Sequence, residues 1–138
     1  MAVPAYSAFS AVSELLVTGV VFHVVWRAWR HGDLRKALLV VVLAFEVLVN
    51  VTYMAYRMAV PSEGLASGPD WLGPFAAAHG ILSLAMLLFL GLITAMAWRD
   101  HERGENFFRE QPGVTLAFVV LWTASIVSGE TLFVVAYL

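Results

Sequence analysis

Apolar residues fill four long stretches of this chain, which are separated by polar connections. The stretches cover residues 5–29, 34–58, 71–98 and 113–138. Each is longer than the ~20 apolar residues that cross a bilayer core of ~30 Å. A backbone in hydrocarbon has to satisfy its own hydrogen bonds, so the pattern predicts helices rather than strands. The very short connection at residues 31–33 makes the first two helices antiparallel neighbours, and we predict one all-α domain over residues 1–138, an integral membrane up-down four-helix bundle.

Positive residues predict the orientation of this bundle. Of the eight Lys and Arg residues, four flank the first connection and three flank the third, whereas only Arg57 lies beside the second. The positive-inside rule then places the first and third connections in the cytoplasm, and both termini outside. The start of the chain lacks the positive residues of a secretory signal, so the first stretch is predicted to be a membrane helix. We expect a multi-pass protein of a prokaryotic-type inner membrane, N-out and C-out.

Composition narrows the classes of partner and site. Hydrophobic residues make up 61% of the chain and charged residues 13%, against about 45–50% and about 25% in soluble domains. A net charge of −2 does not favour nucleic acid as a partner. The chain has no cysteine, which excludes disulfides and thiolate metal sites. The predicted partners are the lipid bilayer and other membrane subunits, with a homo-oligomer as a further option.

Polar residues interrupt each stretch near its middle, where an ionisable group is costly and marks a candidate functional site. We call this set the polar layer, and it consists of Glu14, Glu46, Asn50, His79 and Glu130. A rise of ~1.5 Å per residue puts most of these groups ~10–12 Å below the outer surface, with Glu46 nearer the midplane. If their helix faces turn inward, the side chains meet in the outer half of the bundle.

A metal site is the first chemistry that fits the polar layer. Helical bundles bind metals through carboxylates and imidazoles from facing helices. The predicted ligands are Glu14, Glu46, His79 and Glu130. The donor types suit iron or zinc, and copper is considered because of nearby methionines.

Two further chemistries use neighbouring residues. His79, Asn50 and Tyr53 are the predicted cofactor-binding residues, where a quinone would be held by the imidazole and a carboxylate. Proton transfer along Glu46, Asn50 and Tyr53 is the third option. Haem and quinone are less favoured than a metal ion. Bis-histidine ligation of haem needs two imidazoles at one height, and His23 and His79 are predicted at different heights.

Structural explanations compete with every one of these sites. Buried polar side chains often only hydrogen-bond across helices, contributing about 0.6 kcal/mol each. Arg57 would turn the layer into an ion-pair network if it neutralised Glu14 or Glu130. Phe107 and Phe108 are expected in the headgroup region. Small residues four apart predict close helix contacts at Ala76–Gly80, Gly91–Ala95 and Ser125–Gly129.

The chain from Arg30 onward resembles a family of small four-helix membrane proteins of unknown function, which includes a maturation factor for haem–copper terminal oxidases. The likeness rests on the basic turn at residues 35–38, the Tyr-Met-Ala-Tyr segment at 53–56, His79, and the charged stretch after Trp98. This resemblance implies metal or haem handling in a respiratory chain.

Three functions follow as expectations. The first is a membrane-embedded accessory or assembly protein of a terminal oxidase-type complex. The second is a small metal-dependent or quinone-binding redox enzyme, although the sequence contains no nucleophile–base pair or phosphate loop that would name a reaction or its catalytic residues. The third is a purely structural subunit of a membrane complex.

Overall fold

The part of the chain that the structure describes forms six helices. The computed structural model of the chain describes residues 3–60 and 63–138. The helices are α1 (Ala5–His31), α2 (Lys36–Ala59), α3 (Glu63–Ser67), α4 (Leu72–Glu102), α5 (Phe107–Glu110) and α6 (Pro112–Tyr137). Four of them, α1, α2, α4 and α6, are long and apolar enough to cross a membrane. The prediction of an all-α bundle of four membrane helices is confirmed.

The helix ends follow local chemistry. Gly32 stops α1 with a φ of 66° and donates its N–H to the Ala28 carbonyl at 3.0 Å, because only glycine adopts this left-handed conformation without strain. The predicted third stretch stops at residue 98, but α4 continues for one more turn to Glu102. That turn is stabilised by an ion pair between Glu102 and Lys36. Pro112 begins α6, as its missing N–H allows.

The four long helices form a ring around the bundle axis. α1 packs against α2 and α6, and α4 packs against the same two helices. α1 therefore faces α4 across the bundle, and α2 faces α6. The short α5 closes one end by packing against α1, α4 and α6, while α3 packs against α4 and α6 at the other end. The second connection contains α3, and its Pro61 and Ser62 lie outside the described residues.

The two ends of the bundle differ in chemistry. We call the end with residues 31–35 and 103–111 the basic end, and the end with Tyr6, Tyr53, Tyr56 and Tyr137 the tyrosine end. The buried apolar core lies in the half nearer the basic end, and its members include Val24, Leu39, Leu90, Ile93 and Phe118. The half nearer the tyrosine end buries mostly polar side chains instead.

Phe107 and Phe108 belong to the apolar core, so their expected place among the headgroups is wrong. Their exposed fractions are 2% and 1%. α5 turns back beneath the bundle, and the two rings pack edge to face, with centroids 5.6 Å apart. The rings thereby fill the basic end, where apolar burial is more favourable than the interface.

The outer surface of the bundle is apolar along all four long helices. Leucines on each of them are more than half exposed, namely Leu16, Leu48, Leu88 and Leu116. So large an apolar surface marks contact with another apolar phase. Together with the lengths of the four helices, it indicates a lipid bilayer environment.

Candidate functional site

Glu46 anchors the polar layer at the boundary of the apolar core. Its side chain is on the inner face of α2, and the residue is 4% exposed. Asn50, one turn further along α2, donates Nδ2–H to the Glu46 carbonyl at 2.8 Å and, over a longer 3.4 Å, to Glu46 Oε2. Ser83 on α4 donates to Asn50 Oδ1 at 3.4 Å. Glu46 Oε1 is buried and has no hydrogen-bond partner among the described residues.

Glu14 and Glu130 bring two more carboxyl groups from α1 and α6. Both residues are half-buried. Glu14 interacts electrostatically with Glu130 and with Glu46. The structure therefore places Glu14 within electrostatic range of the other two glutamates, but the three carboxyl groups do not lie within 4.8 Å of one another. Within residues 3–60 and 63–138, no basic side chain forms an ion pair with any of the three.

His79 lies between α4 and α6 and bonds to a residue that the sequence analysis missed. Its Nδ1 is 2.8 Å from Ser128 Oγ, and Ser128 donates to the Ser125 carbonyl at 2.8 Å. The imidazole lies against Gly129, where an added Cβ would be 2.9 Å from His79 Cε1. The Ser125–Gly129 spacing was the available signal for this contact. Gly80 and Gly91, at the other two predicted contacts, have nothing within 4 Å of such a Cβ.

The four predicted metal ligands do not form a compact donor set in the present side-chain positions. Among the described residues, the one group of three acidic or histidine side chains whose ligand atoms all lie within 4.8 Å is elsewhere, at the basic end. Metal binding by the polar layer would need the ligand atoms of its side chains to move closer to one another. The metal site stays a prediction. For haem, His23 is exposed to the surroundings of α1, and α1 does not pack against α4, which carries His79.

Arg57 closes the tyrosine end above the carboxyl groups. Its Nε donates to the Tyr53 hydroxyl at 3.0 Å, and its Nη2 donates to Ser7 Oγ at 2.9 Å and to the Tyr137 hydroxyl. The guanidinium also lies 5.2 Å from the centroid of the Tyr53 ring. Arg57 therefore joins α1, α2 and α6 through neutral oxygens, and it forms no ion pair with Glu14 in the described part of the chain. Tyr53, a predicted cofactor-binding residue, is engaged in this cluster.

A second acidic group lies at the basic end and was not predicted. Asp100, Glu105 and Glu110 place carboxylate oxygens within 4.8 Å of one another. Asp100 is buried and Oδ1 accepts from Arg99 Nη2 at 3.2 Å, whereas the other two residues are exposed. The turn at Gly104, with a φ of 74°, brings them together, which spacing in the sequence did not reveal. With the buried member already paired and the rest solvated, we assign no ligand to this cluster.

Asp33 organises the first connection at the same end. Arg27 Nη2 donates to Asp33 Oδ2 at 3.0 Å, and Arg35 lies 3.7 Å from the same oxygen. The hydrogen bond from Arg27, helped by the charges of Arg27, Arg35 and His101, lowers the pKa of the Asp33 carboxyl below its usual value. Asp33 therefore pairs with two of the arginines around the first connection, Arg27 and Arg35.

Comparisons with known proteins do not identify a family. No family model, no curated protein and no solved structure matches this chain. The resemblance to the oxidase maturation family therefore stays a prediction, and the function rests on the geometry of the polar layer.

Proposed function

We propose that this chain is a membrane-embedded accessory or assembly protein of a respiratory terminal oxidase-type complex, and that its polar layer holds a metal cation. One observation carries the second part. Glu14, Glu46 and Glu130 lie on three helices, Glu14 is within electrostatic range of both others, and none of the three has a basic partner among the described residues. Glu46 is buried and the other two are half-buried; charged carboxylates in such surroundings are costly and repel one another, so a bound cation or protons would neutralise them.

The donor chemistry favours a metal ion over protons alone. Carboxylate and imidazole ligands suit iron and zinc, and the imidazole also suits copper. Glu46 Oε1 is buried without a partner and is free to act as a ligand. His79 bonds through Nδ1 to Ser128, which leaves Nε2 for a metal. Histidine ligands in metalloproteins usually have their second ring nitrogen fixed in this way.

The accessory role draws on different support. The resemblance described above supplies the link to terminal oxidases. A non-catalytic role agrees with a sequence in which no motif names a reaction. The apolar outer surfaces of α1, α2, α4 and α6 offer area for lipid or for other membrane subunits.

The proposal is tested on the full chain, purified in mild detergent from its native membrane. Copper, iron and zinc are measured by elemental mass spectrometry, and co-purifying subunits are identified in the same preparation. We expect a stoichiometric metal ion that is lost in the E14Q/E46Q double variant and reduced in H79A. The matched control is E105Q/E110Q, which removes the same two charges from the acidic cluster at the basic end and is expected to retain the metal.

Each part of the proposal fails separately. Metal that persists in E14Q/E46Q, or that disappears in E105Q/E110Q, contradicts the polar layer as the site. A preparation without metal, even after incubation with each of the three ions, favours the structural subunit. Absence of oxidase subunits overturns the respiratory role. A Soret band or a co-extracted quinone with redox activity supports the alternative of a small redox enzyme.

A further inference from the structure

An apolar groove lies outside the bundle, between α1 and α6 near the basic end. Its volume is about 410 Å³, within the ~300–1,000 Å³ range of ligand sites. Residues that line it include Phe22, Trp26 and Trp29 on α1, and Pro112, Leu116 and Val119 on α6. Each row runs over eight residues, and the seven steps between its ends correspond to a length of about 10 Å.

The surface that this groove offers to an occupant is hydrocarbon-like. The side-chain polar atoms of its wall belong to Thr115 and to the indoles of Trp26 and Trp29. The Thr115 hydroxyl is occupied within the protein, since it donates to the Phe108 carbonyl at 2.9 Å or the Gln111 carbonyl at 3.0 Å. Both walls belong to helices that are suited to cross a membrane. The chemistry that fills such a groove is an acyl chain.

Positive charge at the mouth of the groove selects the headgroup. At the basic end, Arg27, Arg35, Lys36 and Arg99 each form an ion pair with a carboxylate. In the described ranges, Arg30, Arg103 and Arg109 form none. Two of these three stand beside the groove: the guanidinium of Arg30 is 5.8 Å from the centroid of the Trp26 ring, and Arg109 donates to the Trp29 carbonyl and, at 2.9 Å, to the Arg30 carbonyl.

These bonds leave the charge of Arg109 in place, because backbone carbonyls are neutral. The nearest acid in sequence, Glu110, has its carboxylate grouped with those of Asp100 and Glu105. Trp26 and Trp29 near the end of α1 also match the aromatic belt of a membrane interface. The apolar groove therefore ends at two exposed cations at the level expected for lipid headgroups.

We propose that this groove binds an anionic phospholipid, with one acyl chain along α1 and α6 and its phosphate at Arg30 and Arg109. Guanidinium groups bind phosphate oxygens through charge-assisted hydrogen bonds. A zwitterionic lipid offers the same acyl chain without net negative charge, so the cations favour the anionic lipid. The site is separate from the polar layer, which lies toward the other end of the bundle.

Native mass spectrometry of the full chain in detergent, titrated with phosphatidylglycerol or phosphatidylcholine, tests this proposal. We expect the wild-type chain to bind phosphatidylglycerol more tightly. R30Q is the informative variant. The Arg30 side chain makes no hydrogen bond or ion pair in the described part of the chain, and its one ring contact is with the exposed Trp26, so its loss is expected to leave the fold intact. The preference should fall about fivefold, which corresponds to about 1 kcal/mol per basic residue near an anionic headgroup.

R103Q is the matched control, since it removes an unpaired arginine at the same end but away from the groove. Its preference for phosphatidylglycerol should equal that of the wild type. R109Q should lower the preference as R30Q does. Equal binding of the two lipids by the wild type overturns the proposal, and so does an equal loss in R103Q and R30Q, because that result indicates general charge attraction. Retained lipid binding in E14Q/E46Q is expected whether or not the polar layer binds metal.

Discussion

At the scale of single residues, a missing methyl group at Gly129 determines where His79 lies. The imidazole occupies the space that a Cβ at this position would take, and this places Nδ1 beside Ser128. A Cβ added at Gly80, the residue after His79 on α4, would have no atom within 4 Å. The two glycines are equally helical and differ in what faces them.

G129A is expected to lower the free energy of unfolding by about 1–3 kcal/mol, the usual cost of overpacking, because the imidazole has to move away from its serine partner. G80A, the matched control, should change it by no more than about 0.5 kcal/mol. Both variants gain the same intrinsic helix propensity, so their difference isolates the contact with His79. Denaturant titration in micelles gives the two values. Equal stability of G129A and G80A would show that the ring is not held against α6.

Arg57 illustrates a second residue-scale effect. An arginine near buried glutamates suggests an ion pair, yet its guanidinium bonds to the oxygens of Tyr53, Ser7 and Tyr137. These groups come from three helices at one height, so the fork of the guanidinium can reach all of them at once. The carboxyl groups deeper in the bundle are left without a cationic partner from this residue.

At the scale of elements, the shortest helix has a large effect on the packing of the basic end. α5 has four residues, and Asn106 fixes it by donating Nδ2–H to the Ala28 carbonyl at 2.7 Å, on the last turn of α1. This contact turns the third connection back under the bundle. The two phenylalanines of α5 then enter the apolar core instead of the lipid headgroups.

F108A is therefore expected to lower the free energy of unfolding by about 3–5 kcal/mol, as truncation of a buried phenylalanine does. F9A serves as the control, because Phe9 is 52% exposed on the outer surface of α1 and its truncation should change stability by no more than about 0.5 kcal/mol. Unfolding of both variants is followed by circular dichroism in the same detergent. Similarly small losses of unfolding free energy in the two variants would indicate that Phe108 lies at the interface and not in the core.

At the scale of the whole molecule, the bundle is divided into an apolar half and a polar half. The half nearer the basic end is packed with aliphatic and aromatic side chains, and the half nearer the tyrosine end contains the polar layer and the Arg57 cluster. Packing of the first half supplies rigidity. This packing offsets the cost of burying polar and ionisable side chains in the second half, which is unfavourable on its own.

Orientation is a prediction at this scale, and the absence of cysteine allows a clean test. Ser67 on α3 and Glu105 near Gly104 are both exposed and lie at opposite ends of the bundle. S67C should react with a membrane-impermeant maleimide in intact cells, because the positive-inside rule places the basic end in the cytoplasm. E105C should react only after the membrane is permeabilised. The reverse pattern would contradict the N-out, C-out orientation.

The sequence by itself determined the four membrane helices and their order, and it predicted a height for each polar residue. These properties depend on local quantities, namely the length of an apolar stretch, the hydrogen bonds within one helix and a constant rise per residue. The helix ends at Gly32 and Pro112 also follow from local chemistry, namely the left-handed φ of glycine and the missing N–H of proline. The polar layer could thus be proposed from heights alone.

Only the tertiary structure decided which of those polar residues meet. Contacts depend on how each helix is rotated and which neighbour it faces, and many rotations satisfy the same hydropathy pattern. His79 on α4 bonds to Ser128 because α4 and α6 are neighbours in the ring of helices. Arg57 bonds to the hydroxyls of Ser7 and Tyr137 because these residues lie at the same height on α1 and α6. Likewise, Glu14 and Glu46 lie within electrostatic range of each other because α1 packs against α2, and no local rule specifies the rotation of either helix.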